Sequence, residues 1–179
     1  MKTFKFGAVL IMENALQDFY YQFHTEQHYF LCHDILEEAW KENPQFSKDD
    51  AIVSLILLAT GCYHYRRHNN VGALRSFKKA LSVIEQSEQS IDLGIYTDEY
   101  IKIILELIQS VANAKQFVPI QLPITKEMEQ DILKKYPNFV KMPHVIEDSY
   151  IVNHHLERDR SEVDKARQQA LDIRHANKE

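Results

Sequence analysis

Glycine and proline are scarce, with four and five residues in a chain of 179. Many short strands would need frequent turns, and turns draw on the positive φ that glycine tolerates and the fixed φ of proline. Strict alternation of apolar and polar residues is also rare, so a strand-rich fold is excluded. Cysteine is just as sparse. Cys32 and Cys62 lie far apart, each inside an apolar helical pattern, and read as reduced core thiols, not a C-x-x-C centre. No apolar run is long enough to span a bilayer. The segment Met1 to Met12 sets two lysines before a short apolar run, but it stops at Glu13 without the length or small-residue cleavage site of a secretory signal. The expected compartment is the cytoplasm, with no membrane partner. Positive charge is not in excess either: the formal net charge is −5. That argues against a general nucleic-acid binder, whose affinity comes from Lys and Arg neutralising phosphates.

What is present suits one globular core: 45% of residues are hydrophobic and 26% charged. The expected fold is all-α, a compact bundle of about five core helices. These occupy residues 1–118, and a carboxyl-terminal helical extension, 119–179, packs on the core or on a partner subunit. Val9, Met12, Leu16, Phe19 and Phe23 recur at the spacing of one helical face and predict a first helix from Ala8 to Phe23. Thr25 is placed to cap a second helix, Glu26 to Glu42, whose inner stripe is Tyr29, Cys32, Leu36, Ala39 and Trp40. Asn43-Pro44 ends it, because proline disfavours helical geometry in the preceding residue. The third helix, capped by Ser47 or an adjacent Asp, runs through Ile52, Leu55, Leu58 and Ala59 with no broad polar face and is expected at the centre.

A fourth helix from Val71 turns Leu74, Phe77, Leu81 and Ile84 inward and Arg75, Lys78, Lys79 and Ser82 outward. Gly94 sits in the next connection. Thr97-Asp98-Glu99 supplies a cap for a fifth helix bearing Ile101, Ile104, Leu105, Ile108 and Val111. Pro119 and Pro123 bound an extended link, followed by a short helix from Lys126 to Lys135 and an irregular stretch from Pro137 to Pro143. A last helix, Glu162 to Ala176, is started by Ser161 and Asp164 and carries only the thin stripe Val163, Ala166, Ala170 and Ile173. So little apolar area needs a partner surface to hold it.

The densest polar signal lies in the second and third helices. His33 and Glu37 are helical neighbours beside Trp40, and His64 and His68 repeat that spacing. If the two helices lie side by side, His33, Glu37, Trp40, His64 and Asn69 share a pocket. Its imidazoles and carboxylate, with His68 as a further ligand, suit Zn²⁺ or Fe²⁺. The structural alternative has His33 bonded to Glu37 or a carbonyl, Trp40 filling the core with its indole nitrogen satisfied, and Asn69-Asn70 with Gly72 turning one helix into the next. Asp34 and Glu38 point away as solvated charges. Tyr20, Tyr21 and Tyr29 pack, and His24 and His28 are expected to be exposed at the helix junction. Two further sets could meet an anion or a partner: His154, His155, Arg158 and Arg160, and the basic group Arg66, Arg67, Arg75, Lys78 and Lys79.

From His33 to Ala73 the chain resembles the YpuF-like proteins, small helical bacterial and archaeal proteins grouped as a domain of unknown function. The family phrase His-Glu-x-x-Glu-x-x-Trp corresponds to His33, Asp34, Glu37 and Trp40. Its Tyr-His followed by Gly-Asn-x-x-Gly-Ala corresponds to Tyr63-His64 and to Asn69 through Gly72-Ala73. The resemblance covers residues 19 to 85, and Ile151 to Arg160 is similar to the same subgroup. It implies an all-α fold and no established activity. Asp34 stands where Glu is usual, His68 where Gly is usual, and Leu57 where Gln is common. The expected function is a non-enzymatic binding or assembly protein that acts with a protein partner or by self-association, with no cofactor established and Zn or Fe as the candidates at the pocket. The alternatives are a metal-dependent hydrolase at the His/Glu pocket and a weak phosphate or nucleic-acid binder.

Overall fold

A helix that is apolar all round has to be surrounded, and α3 (Ala51–Arg66) is. It packs between α2 (Tyr29–Glu42) and α4 (Asn70–Gln86); α1 (Lys2–Tyr21) lies on α2 and α5 (Thr97–Ala112) on α4. The later elements return to the front of the bundle: α6 (Lys126–Lys135) meets α1 and α7 (Ser149–Glu157) meets α2. The computed structural model describes residues 2–42, 47–87 and 92–157. Among these there are seven α-helices and no strand beyond an isolated bridge between Ile95 and Ile124. The expected Asn43-Pro44 helix stop and the last helix from Glu162 to Ala176 lie outside the described residues.

The core is one cluster in which Leu16, Phe19, Tyr20, Tyr29, Leu36, Leu55, Phe77 and Tyr100 are fully buried. Each large apolar side chain so placed contributes roughly 1.5–3 kcal/mol. α3 and α4 approach closely because residue 61 has no side chain: a Cβ on Gly61 would run into the Phe77 ring, which the core holds fixed. The expected inner face of the first helix is observed at Met12, Leu16 and Phe19 on α1 and continues at Phe23 in the turn after it. The span expected for the short helix also holds, and its cap is Thr125, whose Oγ1 accepts from Met128 N at 3.3 Å.

Several boundaries differ for physical reasons. The first helix begins at Lys2 and runs into a π-helical turn, Gln22–Glu26, before Gln27 breaks it with φ 52°. α2 therefore starts at Tyr29, and Thr25 does not cap it. The Thr25 hydroxyl donates to Val140 O (2.9 Å) and accepts from Val140 N (3.1 Å), tying down the stretch after α6. The α2 cap is His28, whose Nδ1 accepts from Leu31 N at 3.1 Å. Asp50 takes the N-cap position of α3 with no side-chain bond to the helix, its carboxylate accepting instead from Ser47 N at 2.6 Å. Thr97 is the first residue of α5, not its cap, and of the apolar residues on that helix Leu105 is 42% exposed. α7 was not visible as a helix in the sequence pattern.

His24 and His28 overturn the expectation of exposure, at 2% and 7%. His24 Nδ1 donates to Tyr20 O (3.0 Å) while its Nε2 accepts from Leu122 N (3.0 Å), so the ring joins α1 to the link before α6. Met142 N adds a bond to His24 O (3.1 Å). Desolvation is the main reason His24 stays neutral, its pKa lowered to about 3 from the usual 6.5, and burial shifts His28 the same way. Below pH 6.5 the unfolded chain takes up a proton that folded His24 refuses until about pH 3, so stability falls as pH drops through that window. The loss is on the order of 1 kcal/mol per pH unit for one such histidine. Urea unfolding should show a clearly lower midpoint at pH 5 than at pH 7; equal midpoints would contradict the buried, neutral His24.

Candidate functional site

Helical spacing places His33 and Glu37 together on α2, as expected, but their partners are more local than a shared metal pocket requires. His33 Nδ1 lies 3.1 Å from Asp34 Oδ1 and 4.0 Å from Glu37 Oε2, and Glu37 Oε1 is paired with Lys41 Nζ at 3.0 Å. All of these are half-buried except Lys41, which is exposed. Asp34, expected to point into solvent, is instead part of the group. One ligand atom each from His33, Asp34 and Glu37 lie within 4.8 Å of one another, a donor set of the kind borderline divalent ions accept. His64 and His68 do not belong to that set. Trp40 is partly buried against the core, and its Nε1 donates to Ser47 O at 3.2 Å, which satisfies the indole nitrogen as expected.

His64, in the last turn of α3, faces the connection to α4. Asn69 Oδ1 accepts from Gly72 N (3.0 Å) and so caps α4, while Asn69 Nδ2 lies 3.1 Å from His64 Nδ1. The Asn amide can donate there only if Nδ1 of the imidazole is unprotonated, and burial together with Arg67 lowers the His64 pKa in that direction. Gly72 is required by closeness: a Cβ would come to 2.8 Å from Asn69 Nδ2 and 3.0 Å from His64 Cγ. The left-handed residue of the turn is His68, φ 60°, exposed, at the position where the YpuF-like pattern has glycine. His33 and His64 are thus linked by rings and not by a common ligand position. His33 stacks on Phe30 (centroids 6.5 Å), Phe30 meets Tyr63 (5.4 Å), and Tyr63 meets His64 (6.2 Å).

The basic group expected around the third connection is divided. Arg75, Lys78 and Lys79 are exposed on α4, but Arg66 is 7% exposed and points inward. Its Nη1 donates to Gln27 O (2.7 Å), its Nη2 to Ile151 O (3.3 Å), and its guanidinium carbon sits 4.8 Å over the Tyr29 ring. The register held the signal: Leu55, Ala59, Cys62 and Arg66 follow one another at helical spacing on the buried side of α3. In the carboxyl-terminal set, His154 lies on α7 with its ring against His28 (4.8 Å) and Phe30 (5.3 Å). The His155 side chain, Arg158 and Arg160 lie outside the described residues.

Comparison with known proteins agrees with the resemblance read from the residues. Residues 16–76 match the family described as Domain of unknown function (DUF309). The chain is 28% identical over 167 residues to the uncharacterized protein YpuF of Bacillus subtilis (strain 168), covering 89% of this chain and 95% of that protein. No solved structure matches.

The cap on α4 can be tested by substitution. Asn69→Ala removes the acceptor for Gly72 N and is expected to cost about 1 kcal/mol in urea unfolding, with Asn69→Ser recovering most of it. Equal stability of the alanine variant and the parent would show that the cap carries no weight.

Proposed function

We propose that this chain, which belongs to the YpuF-like family, is a non-enzymatic assembly protein that pairs with a second copy of itself. The observation that carries the reading is a shallow groove between α1 and α2. Leu10 and Ile11, 51% and 45% exposed, stand along it with Ala15, Ile35 and Ala39, and Glu38 and Glu42 form an acidic rim. The proposed occupant is the carboxyl-terminal segment of the other copy. Its stripe Val163, Ala166, Ala170 and Ile173 is flanked by Lys165, Arg167 and Arg174, which can pair with that rim, and by as many acidic residues, Glu162, Asp164 and Asp172. As a helix the stripe would extend about 15 Å, close to the roughly 12 Å that α1 offers between Leu10 and Asp18. Each copy supplies both a groove and a segment, so a symmetric exchange forms the contact twice and doubles the apolar area removed from water.

The other readings draw less support. A hydrolase using His33, Glu37 and His64 loses His64 to the Asn69 turn, and the Glu37 carboxylate is already shared with Lys41. A surface patch for nucleic acid loses Arg66 to the interior.

Light scattering on the full chain at micromolar concentration is expected to give the mass of two chains. Ile11→Asp and Ala170→Asp, on opposite sides of the proposed contact, should each return it to the mass of one. A one-chain mass for the parent protein would overturn the assembly reading, including the case in which the segment docks on its own groove.

A further inference from the structure

We propose that Arg66, His28 and His154 form a binding site for a phosphate-type oxyanion at the amino-terminal end of α2, beneath α7. The starting point is a charge without an opposite charge. Arg66 cannot shed its proton at any ordinary pH, and burying an ion costs several kcal/mol unless it is paired. Two neutral carbonyls, of Gln27 and Ile151, and the face of Tyr29 offset part of that cost. None of the ion pairs among the described residues involves Arg66, and its Nε is buried with no hydrogen-bond partner.

Two imidazoles complete the donor set. His28 Nδ1 accepts the Leu31 amide proton, so in the neutral ring the proton resides on Nε2, which is left as a donor. Because His28 caps α2, the positive end of that helix dipole acts at the same place. The His154 ring lies 4.8 Å from that of His28, and His154 Nδ1 is the second buried nitrogen there without a partner. Ile151 and His154 are one turn apart on α7, so the segment that bonds the guanidinium also delivers the second imidazole. Phe30 and Tyr150 wall the rings at 5.3 and 4.9 Å from His154. The acid that acts on His28 is Asp34, and its carboxylate is engaged by His33 Nδ1 at 3.1 Å.

The arrangement selects the shape of the ligand. A planar carboxylate would use the two-pronged fork of an arginine, yet both terminal nitrogens here already donate to carbonyls. The remaining donors, Nε of Arg66, Nε2 of His28 and Nδ1 of His154, come singly from α3, the start of α2 and α7. Three separate directions suit a tetrahedral oxyanion. Access lies through α7, where the Ile151 bond is the longer of the two at 3.3 Å and Asn153 interrupts the helix with φ −114° and ψ 16°.

The test is a titration of the full chain with inorganic phosphate, and separately with glycerol phosphate, at ionic strength held constant with potassium chloride. Ring-nitrogen NMR of the histidines and thermal unfolding are the readouts. The expected result is a saturable shift of the His28 and His154 nitrogens and a rise in Tm that chloride does not produce. Tighter binding of the ester marks the ligand as a phosphomonoester, and equal binding marks free phosphate. His154→Ala, on the half-buried α7, should weaken phosphate at least tenfold, and Arg66→Met should abolish the effect. Should Arg66→Met fail to fold, the parent titration and the His154→Ala comparison still decide. Shifts that track chloride equally, or unchanged phosphate affinity in His154→Ala, would overturn the site.

Discussion

The Arg66 guanidinium is the one full charge buried among the described residues, and three elements are arranged around it. It ends α3, whose other buried positions are uncharged, and it reaches past Tyr29 to a carbonyl before α2 and another on α7. A buried cation whose hydrogen bonds all go to carbonyls fixes those carbonyls in turn, because losing either would leave the charge less compensated. The start of α2 cannot shift by a residue without withdrawing Gln27 O, and α7 cannot leave without withdrawing Ile151 O. The register of the whole front face therefore follows from one side chain.

The unusual backbone of that region fits the same constraint. Residues 22–26 wind as a π-helix, and Gln27 adopts φ 52°, a conformation a non-glycine residue holds at a cost of about 1–2 kcal/mol. The return is a dense set of bonds to distant chain. Gln27 presents its carbonyl to Arg66, its amide nitrogen to His144 O (2.7 Å) and its amide oxygen to Ile146 N (3.0 Å). Thr25 and His24 bind Val140, Leu122 and Met142 from the neighbouring positions. Residues of the turn that joins α1 to α2 thus serve as the anchor for the segment after α5, and α7 is delivered onto Arg66 by that anchored segment.

The helices themselves were legible because their cause is local. The spacing of Met12, Leu16, Phe19 and Phe23 and the all-round apolarity of α3 each act within a turn or two. The misread positions are those where a distant partner competes for a side chain. Thr25 has the chemistry of a cap, but Val140 takes its hydroxyl; His24 looks like a surface histidine until Leu122 and Met142 arrive over it. Asp34 was assigned to solvent by helical geometry alone, which does not register a bond to the adjacent His33. In the candidate site, the bond of His33 goes to Asp34 and not to Glu37, but the nearness of His33 to Glu37 and the role of Asn69 in the turn followed from spacing. The separation of His64 from His33 did not, since spacing does not tell how Phe30 and Tyr63 fill the space between two helices. His68 shows the reverse case: the left-handed turn was foreseeable from the glycine of the family pattern, and the chain keeps the turn with a histidine.

The most direct measurement of the central claim is solvent exchange at arginine side chains by ¹⁵N NMR. The Nε–H of Arg66, enclosed between α2, α3 and α7, should exchange far more slowly than that of the exposed Arg75. Exchange at the two sites with equal rates would mean that the guanidinium is not enclosed, and that the front of the bundle is held by something else.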